Sequence, residues 1–325
     1  MDRGSFPPLV CPVHRCGLAE DEQGLRCPEG EFFPTVGGIH RFVDAASYAD
    51  HFGAQWKRYR LVQLDSFTGL KITEERAHRN FGDELWNDLN DKQVLEVGCG
   101  AGRFTEVLLG RGAVVTSIDL SVAVEANQEN FPQDERHRVV QADAVAAPIL
   151  SQQFDVVFCL GVIQHTPSPD DTILALYDHV KPGGHLVFDH YTRRLSTYTK
   201  ITEPVVRRIL RRVSTETGIR WTERLVKFWL PVHRAARRFR PMQALLSRIS
   251  PVRTYYHAYP ELNEAQQREW AMLDTHDALT SWYRHTRTCG DVRSLLSSAG
   301  ANEIECRRGG NGIEVHARRP SAAPA

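Results

Sequence analysis

The sequence lacks long hydrophobic runs. Its longest apolar run, Phe154 to Ile163, contains Asp155 and is far too short to span a bilayer. The segment Met1–Cys11 has no extended apolar stretch of the kind that a secretory signal requires. We therefore expect a cytoplasmic protein without a transmembrane segment.

Cysteine is also too sparse to build a disulfide framework. There are seven cysteines, an odd number, and they are spread thinly along the chain. This distribution is typical of a protein in a reducing compartment, where a cysteine is more often a core residue or a metal ligand than half of a disulfide.

The chain carries no net charge, with 40 Lys and Arg residues against 40 Asp and Glu residues. This balance argues against a protein that binds nucleic acid through a uniformly basic surface. The segment Ile201–Arg253 nevertheless has 13 Lys and Arg residues and three acids, a net charge of +10. The overall neutrality therefore hides one strongly basic segment.

Size and composition indicate an ordinary globular chain. Its 325 residues predict about two domains at ~150 residues each. From Gln93 to His190, short β-branched runs alternate with helical stretches, and the alternation resumes near Thr288. Strands that alternate with helices indicate an α/β fold with a mostly parallel sheet and helices on both faces.

The clearest motif is a glycine-rich turn. Gly98, Gly100 and Gly102 directly follow the predicted strand Val94–Val97, and a helix is predicted from about Arg103. Glycine permits a tight turn from strand to helix and lets a ligand approach the backbone closely. The following helix offers free N–H groups at its N-terminus. The turn therefore predicts a nucleotide-type site.

Two further residues decide between classes of nucleotide. Asp119 lies 21 residues after Gly98, at the end of the next predicted strand, where a carboxylate can accept hydrogen bonds from both ribose hydroxyls of an adenosine. A dinucleotide fold would have its last glycine at Arg103. Glu96 would repel a pyrophosphate but suits the cationic ammonium and sulfonium of S-adenosylmethionine. The remaining alternative is an α/β turn without a ligand.

The segment E-x-G-x-G-x-G resembles the cofactor motif of class I S-adenosylmethionine-dependent methyltransferases. The later segments Ala142–Ala144, Phe154–Pro169 and Val180–Phe188 resemble further blocks of that family. The resemblance covers Gln93–His190 well and Thr288–Arg318 more loosely. It is greatest to the bacterial small-molecule and ubiquinone-type group, which often carries a block like Phe52–Trp56 upstream.

The resemblance implies a Rossmann-like, seven-stranded sheet that binds S-adenosylmethionine. The residues expected to bind this cofactor lie at or just beyond the ends of the first four strands of the alternating region: Glu96, Gly98, Cys99, Gly100, Gly102, Asp119, Leu120, Asp143, Ala144 and Leu160.

Methyl transfer to a hydroxyl gains from a general base, and a histidine with its unperturbed pKa of about 6.5 suits that role. His165 follows the fourth predicted strand and would face the methyl group, although it could instead shape the pocket wall. His190 ends the fifth strand, as a second candidate base or an ordinary strand-end residue. The polar clusters Thr254–His257 and Asp274–Asp277 either line a lid or lie on the surface.

The N-terminal segment resembles the zinc-ribbon-like head of some bacterial methyltransferases. Cys11 and His14 form one knuckle, but the second lacks a ligand because Gly30 stands three residues after Cys27. Cys16 or Glu31 could substitute, although neither has the standard spacing. A structural zinc site formed by these four Cys and His residues and a metal-free ribbon are both open hypotheses.

The sequence thus predicts a small N-terminal ribbon, a Rossmann-like core and a helical insert. The expected boundaries are a ribbon at 1–46, helices at 47–92, a cofactor-binding core at 93–190, a basic helical insert at 191–287, a C-terminal helix and strands at 288–319 and a tail at 320–325.

The basic insert allows three interpretations: a cap over the active-site end of the sheet, a surface for an anionic substrate or RNA, or a helix on an anionic membrane. The leading hypothesis for the whole chain is O-methylation of a small molecule, a secondary metabolite or a glycan intermediate. An RNA methyltransferase and a non-catalytic protein that retains the cofactor site are the alternatives. Nucleic acid is the less favoured partner, and peripheral membrane contact is left open.

Overall fold

A computed structural model of the protein describes residues 6–43, 50–193 and 200–322. The other residues of the expected ribbon, first helical segment, insert and tail lie outside the described ranges, as does the side chain of Phe52.

The described residues form eleven strands. These are β1 (Ala19–Asp21), β2 (Gly24–Arg26), β3 (Phe32–Val36), β4 (Ile39–Arg41), β5 (Gln93–Val97), β6 (Val114–Asp119), β7 (His137–Gln141), β8 (Phe154–Cys159), β9 (Val180–Tyr191), β10 (Asn302–Gly309) and β11 (Gly312–Arg318).

Twelve α-helices accompany them in the described part of the chain. They are α1 (Asp50–Arg58), α2 (Asp65–Thr68), α3 (Ile72–Phe81), α4 (Asp83–Asn87), α5 (Arg103–Gly110), α6 (Ala123–Asn130), α7 (Pro169–Asp178), α8 (Glu203–Leu210), α9 (Thr215–Ala236), α10 (Arg240–Ile249), α11 (Glu264–Thr280) and α12 (Cys289–Ser298). A short 3-10 helix, Ile163–His165, follows β8.

All eleven strands join one sheet in the order β1-β2-β3-β4-β7-β6-β5-β8-β9-β11-β10. The strands from β4 to β9 in this order pair in parallel, and the pairs at both ends are antiparallel. The expected strand number of seven is wrong for the complete sheet. The reason is that the N-terminal ribbon extends it, with β4 pairing in parallel to β7 through His40 and Val140.

Alternating strand residues build a core on each face of the sheet. Val94 and Val156 pack with Phe81, Trp86 and Leu108 of the helices α3 to α5. Their neighbours along the strands pack on the other face with α7, α12 and apolar residues of the ribbon. Helices therefore cover both faces, as the alternation of strands and helices predicts.

The insert folds as helices α8 to α11. Val226 and Leu230 of α9 pack against Ala271 and Met272 of α11. The outer side of α9 exposes Trp221, Phe228 and Val232, which share one stripe because they are spaced by seven and four residues. Among the described residues, no helix is both long enough and apolar enough to cross a membrane.

One cysteine pair departs from the expectation of reduced cysteines. Cys289 and Cys306 form a disulfide between α12 and β10, with their Cα atoms 5.6 Å apart. The packing of α12 onto β10 brings the two residues together, although they are 17 residues apart in sequence. Five other cysteines are free, so a single bridge is present rather than a framework.

Candidate active site

A cavity of about 460 Å³ lies at the carboxyl ends of the parallel strands. Residues that follow β5, β6, β7 and β8 line one side of it, and residues of α1 and the insert line the other. Ligands of open α/β sheets bind at this edge, where the loops after neighbouring strands converge. The fold therefore forms a cavity where the sequence predicts a cofactor.

The glycine turn after β5 requires residues without a side chain. Gly98, Gly100 and Gly102 have φ angles of +73°, +52° and +92°, which side-chain-bearing residues rarely adopt. A Cβ atom at Gly98 would lie 2.2 Å from Val162, and one at Gly102 would lie 2.6 Å from Phe131. Both glycines are required by packing as well as by backbone conformation.

Asp119 ties this turn to the end of β6. Its Oδ2 atom accepts a hydrogen bond from the Gly100 N–H at 3.0 Å, and its Oδ1 atom accepts bonds from the N–H and hydroxyl of Ser121 at 2.8 and 2.7 Å. Burial raises the pKa of Asp119, although the hydrogen bonds from Ser121 and Gly100 act to lower it. The carboxylate also lines the cavity and retains lone pairs for a further donor.

Eight of the ten expected cofactor residues line the cavity: Gly98, Cys99, Gly100, Asp119, Leu120, Asp143, Ala144 and Leu160. The two exceptions are Gly102, which lies under the Phe131 ring, and Glu96.

Glu96 is buried beneath α5 and is not among the residues that line the cavity. Its Oε2 atom accepts hydrogen bonds from the Thr105 hydroxyl at 2.5 Å and the Ser117 hydroxyl at 2.9 Å. The alternation of β5 explains the difference from the expected direct contact, because Glu96 lies on the same side of the strand as Val94, under the helix. Burial raises the pKa of Glu96 to about 7.

His165 lies at the cavity wall. Its Nδ1 atom is 3.0 Å from the Tyr283 carbonyl oxygen, and a carbonyl can only accept, so Nδ1 carries the proton in this arrangement. The neutral ring then has its lone pair on Nε2. That atom is 3.9 Å from a carboxylate oxygen of Asp277.

His190 does not line the cavity. This position argues against the expectation that His190 acts as a second base. Its Nδ1 donates to the Tyr191 carbonyl at 2.8 Å, and burial lowers the pKa of the ring to about 4. The physical reason is strand alternation, since neighbouring residues of β9 point to opposite faces. Tyr191 lies at the cavity instead, with its ring edge-on to His165 at a centroid distance of 5.5 Å.

The cavity wall also contains cationic residues that the sequence pattern did not indicate. Arg76 of α3 donates to Asp189 at 2.6 Å, and Asp189 also accepts from the Gly161 N–H at 2.6 Å. Arg103 donates to the Gln63 side chain at 2.8 Å, and burial lowers the pKa of Arg103 to about 10. Arginines at irregular positions carry no sequence signal for a site, because most such residues are solvated.

The insert contributes the remaining wall. Lys200, Arg253, Tyr255 and Arg284 line the cavity. Asp274 and Asp277, from the polar cluster Asp274–Asp277, also line the cavity. His276 is buried behind the wall, with its Nδ1 atom 2.6 Å from the Gln55 side-chain oxygen. The insert is therefore positioned as a cap over the site.

A second cluster of chemically active residues lies in the ribbon. The Nδ1 atom of His14 is 3.6 Å from the Cys11 sulfur and 3.4 Å from the Cys27 sulfur. The Cys16 sulfur lies 3.3 Å from that of Cys27, but the ligand atoms that all lie within 4.8 Å of one another are those of Cys11, His14 and Cys27. Ligand atoms around a tetrahedral zinc ion are roughly 3.5–3.8 Å apart, given its bond lengths. The spacing of this group is therefore close to that of a metal site.

The segment that forms the parallel strands also resembles known proteins. Residues 95–188 match the family model described as a methyltransferase domain. The resemblance of this segment to class I S-adenosylmethionine-dependent methyltransferases is thereby confirmed.

The chain is 40% identical over 114 residues to the ubiquinone biosynthesis O-methyltransferase of Pseudomonas entomophila (strain L48), which covers 34% of this chain and 49% of that protein. The enzyme of the same description from Pseudomonas fluorescens (strain Pf0-1) is 38% identical over 123 residues, or 37% of this chain and 52% of that protein. The chain thus spans about half the length of the curated relatives that it matches.

Among solved structures, an O-methyltransferase family protein from Burkholderia thailandensis matches with a TM-score of 0.45 and 12% identity. This match covers 83% of this chain and 62% of that one.

Replacement of Glu96 tests the effect of its burial on stability. The native pKa of about 7 exceeds the ordinary value of 4.5, so the folded state binds the proton more tightly and loses stability as the pH rises between these values. Glu96→Gln removes this loss. We expect the free energy of unfolding of the variant, relative to wild type, to rise by up to about 3 kcal/mol between roughly pH 5 and pH 8.

Urea unfolding at both pH values measures this difference. The exposed Glu135→Gln is the matched control and should follow the wild type at both pH values. An unchanged difference between Glu96→Gln and wild type across this range would show that Glu96 is ionised in the folded protein.

Proposed function

We propose that this protein transfers the methyl group of S-adenosylmethionine to an oxygen atom of a small-molecule acceptor. The observation that carries the proposal is one cavity that the Asp119 carboxylate, the glycine turn and His165 line together. A cavity of about 460 Å³ between the sheet and the insert suits a small acceptor better than an RNA strand.

The donor set at the strand ends fits the cofactor. The Asp119 carboxylate can accept from ribose hydroxyls, the backbone of the glycine turn admits close approach, and Leu120 and Leu160 offer apolar surface for a purine. When bound, S-adenosylmethionine supplies a methyl group that its sulfonium already activates. The protein then has to orient the acceptor and exclude water, which can provide most of the rate enhancement.

His165 is positioned to take the proton of an acceptor hydroxyl. The Tyr283 carbonyl holds the ring in the tautomer whose Nε2 can accept a proton. The Asp277 carboxylate, 3.9 Å from Nε2, would stabilise the imidazolium that forms. A hydroxyl placed beside Nε2 would thus become more nucleophilic as it attacks.

Asp119→Asn tests the cofactor site. The amide keeps the shape of the side chain but removes the charge and places an N–H group among donors. We expect S-adenosylmethionine binding to weaken by about 1.5–3 kcal/mol, the scale of a hydrogen bond to a charged group. Calorimetric titration measures the affinity, and the exposed Asp171→Asn should leave it unchanged. Equal affinity in Asp119→Asn and wild type would contradict the assignment.

His165→Gln tests the base. With labelled cofactor and an acceptor found by screening phenols and alcohols, turnover should fall by about 10²–10⁴-fold while cofactor affinity stays near wild type. A variant that loses cofactor affinity together with turnover would make His165 a pocket wall.

We propose in addition that the ribbon binds one structural zinc ion through Cys11, His14, Cys16 and Cys27. The support is the mutual proximity of the Cys11, His14 and Cys27 ligand atoms, within 4.8 Å of one another, with the Cys16 sulfur 3.3 Å from that of Cys27. Three sulfur atoms and one imidazole nitrogen form a ligand set that zinc commonly takes in structural sites. The ion would hold the loops before β1 and after β2 together.

Elemental analysis tests the zinc site. Purified protein should contain about one zinc ion per chain, and Cys27→Ser should lose it, whereas Cys159→Ala, in a strand of the core, should retain it. A chelator should also increase hydrogen exchange in the ribbon. Metal-free protein whose ribbon is equally protected with and without chelator would establish a metal-independent ribbon.

A further inference from the structure

Three cations of the insert converge on one buried carboxylate at the cavity wall. Arg284 donates to Oε1 of Glu203 at 2.6 Å, Arg253 donates to the same oxygen at 3.2 Å, and Lys200 donates to Oε2. The Glu203 side chain is only 4% exposed and is absent from the cavity lining, whereas all three cations line the cavity.

This cluster has more positive charge than its own acid can neutralise. Burial alone would raise the pKa of Glu203, but Arg253, Lys200 and Arg284 together lower it to about 2, so Glu203 is ionised. One carboxylate then faces three cations. Arg207 and the cavity-lining Asp274 and Asp277 also act on this wall, which brings the count to four cations against three acids. The cluster keeps an excess of positive charge beside the cavity.

The cations remain reachable from the cavity. Their side chains are 17% exposed for Lys200, 31% for Arg253 and 28% for Arg284. Partly desolvated cations form stronger bonds to an anion than fully solvated ones, because less water has to be displaced and the local dielectric is lower. An anionic ligand would thus neutralise a charge excess that the fold itself leaves uncompensated.

The cluster also adjoins the proposed base. The Arg284 guanidinium lies 5.7 Å from the Tyr191 ring centroid, and the same ring contacts His165 edge-on. One aromatic ring therefore separates the cationic wall from the imidazole. A compact acceptor could place an anionic group on one side of Tyr191 and a hydroxyl at His165 on the other.

We propose that the methyl acceptor carries an anionic oxygen group, a carboxylate or a phosphate, which binds to Lys200, Arg253 and Arg284 in the cavity. This inference rests on the proposed function and specifies its substrate class. It makes the three residues determinants of acceptor specificity, with no part in proton transfer.

Ligand binding to cofactor-saturated protein tests the proposal with benzoate, its neutral analogue benzamide, and phenyl phosphate as probes. Benzoate or phenyl phosphate should bind about 10- to 100-fold more tightly than benzamide, as charge-assisted hydrogen bonds predict. The tighter of the two anions identifies carboxylate or phosphate as the preferred group. Calorimetry or ligand-observed NMR measures all three affinities.

Arg284→Gln should reduce the preference for the anion by about tenfold, and Arg253→Gln should act similarly. Either variant leaves Glu203 with two cations, and an unchanged cofactor affinity establishes that the site is folded. Arg208→Gln, on the exposed side of α8, is the matched control and should keep the wild-type preference.

The proposal is overturned if neither anion binds more tightly than benzamide, including the case in which none of the three binds. It is also overturned if Arg208→Gln weakens the preference as much as Arg284→Gln does. The cofactor titration is read separately. A protein that binds S-adenosylmethionine without anion preference refutes the substrate class alone, whereas a protein that does not bind the cofactor refutes the proposed function.

Discussion

The close approach between the turn after β5 and the turn after β8 determines where the cavity lies. Val162 occupies the space that a side chain at residue 98 would need, with its Cγ2 atom 2.2 Å from the position of that Cβ. Val162 also begins the short segment that carries His165, whose backbone N–H bonds to the Val162 carbonyl at 2.8 Å. A glycine on the cofactor side thus sets the position of the histidine on the acceptor side. The two halves of the site are coupled by packing before any ligand binds.

Local patterns were sufficient to predict most of the residues that line the strand-end side of the cavity. The glycine spacing and the position of Asp119 depend on one strand, one turn and the next strand, which are contiguous in sequence. The errors at Glu96 and His190 have one common cause. A residue at a strand end faces the cavity or the opposite core according to alternation, and a shift of one position reverses the outcome. At Glu96 the sequence does not show which side is which, because Val94, Leu95 and Val97 are all apolar and buried.

The acceptor side could not be predicted in the same way. Arg76 reaches Asp189 across 113 residues, and Arg284 reaches Glu203 across 81. The first pair depends on how α3 packs against the sheet and the second on how the insert folds on itself, and none of these residues belongs to a recognisable motif. The strongly basic composition of the insert was a correct indication of charge, but it did not distinguish the arginines on the outer helix surfaces from those directed at the cavity. Only the tertiary structure separates them.

The parallel pairing of β4 with β7 has a consequence for the solution behaviour of the protein. Without the ribbon, β7 would be the terminal strand of the parallel sheet, and its unpaired N–H and C=O groups would offer a template for strands of other molecules. The ribbon moves this boundary outward to β1, a strand of three exposed residues that offers little length for pairing. If the Cys and His cluster holds the ribbon together, the metal supply of the cell would also protect the protein from self-association.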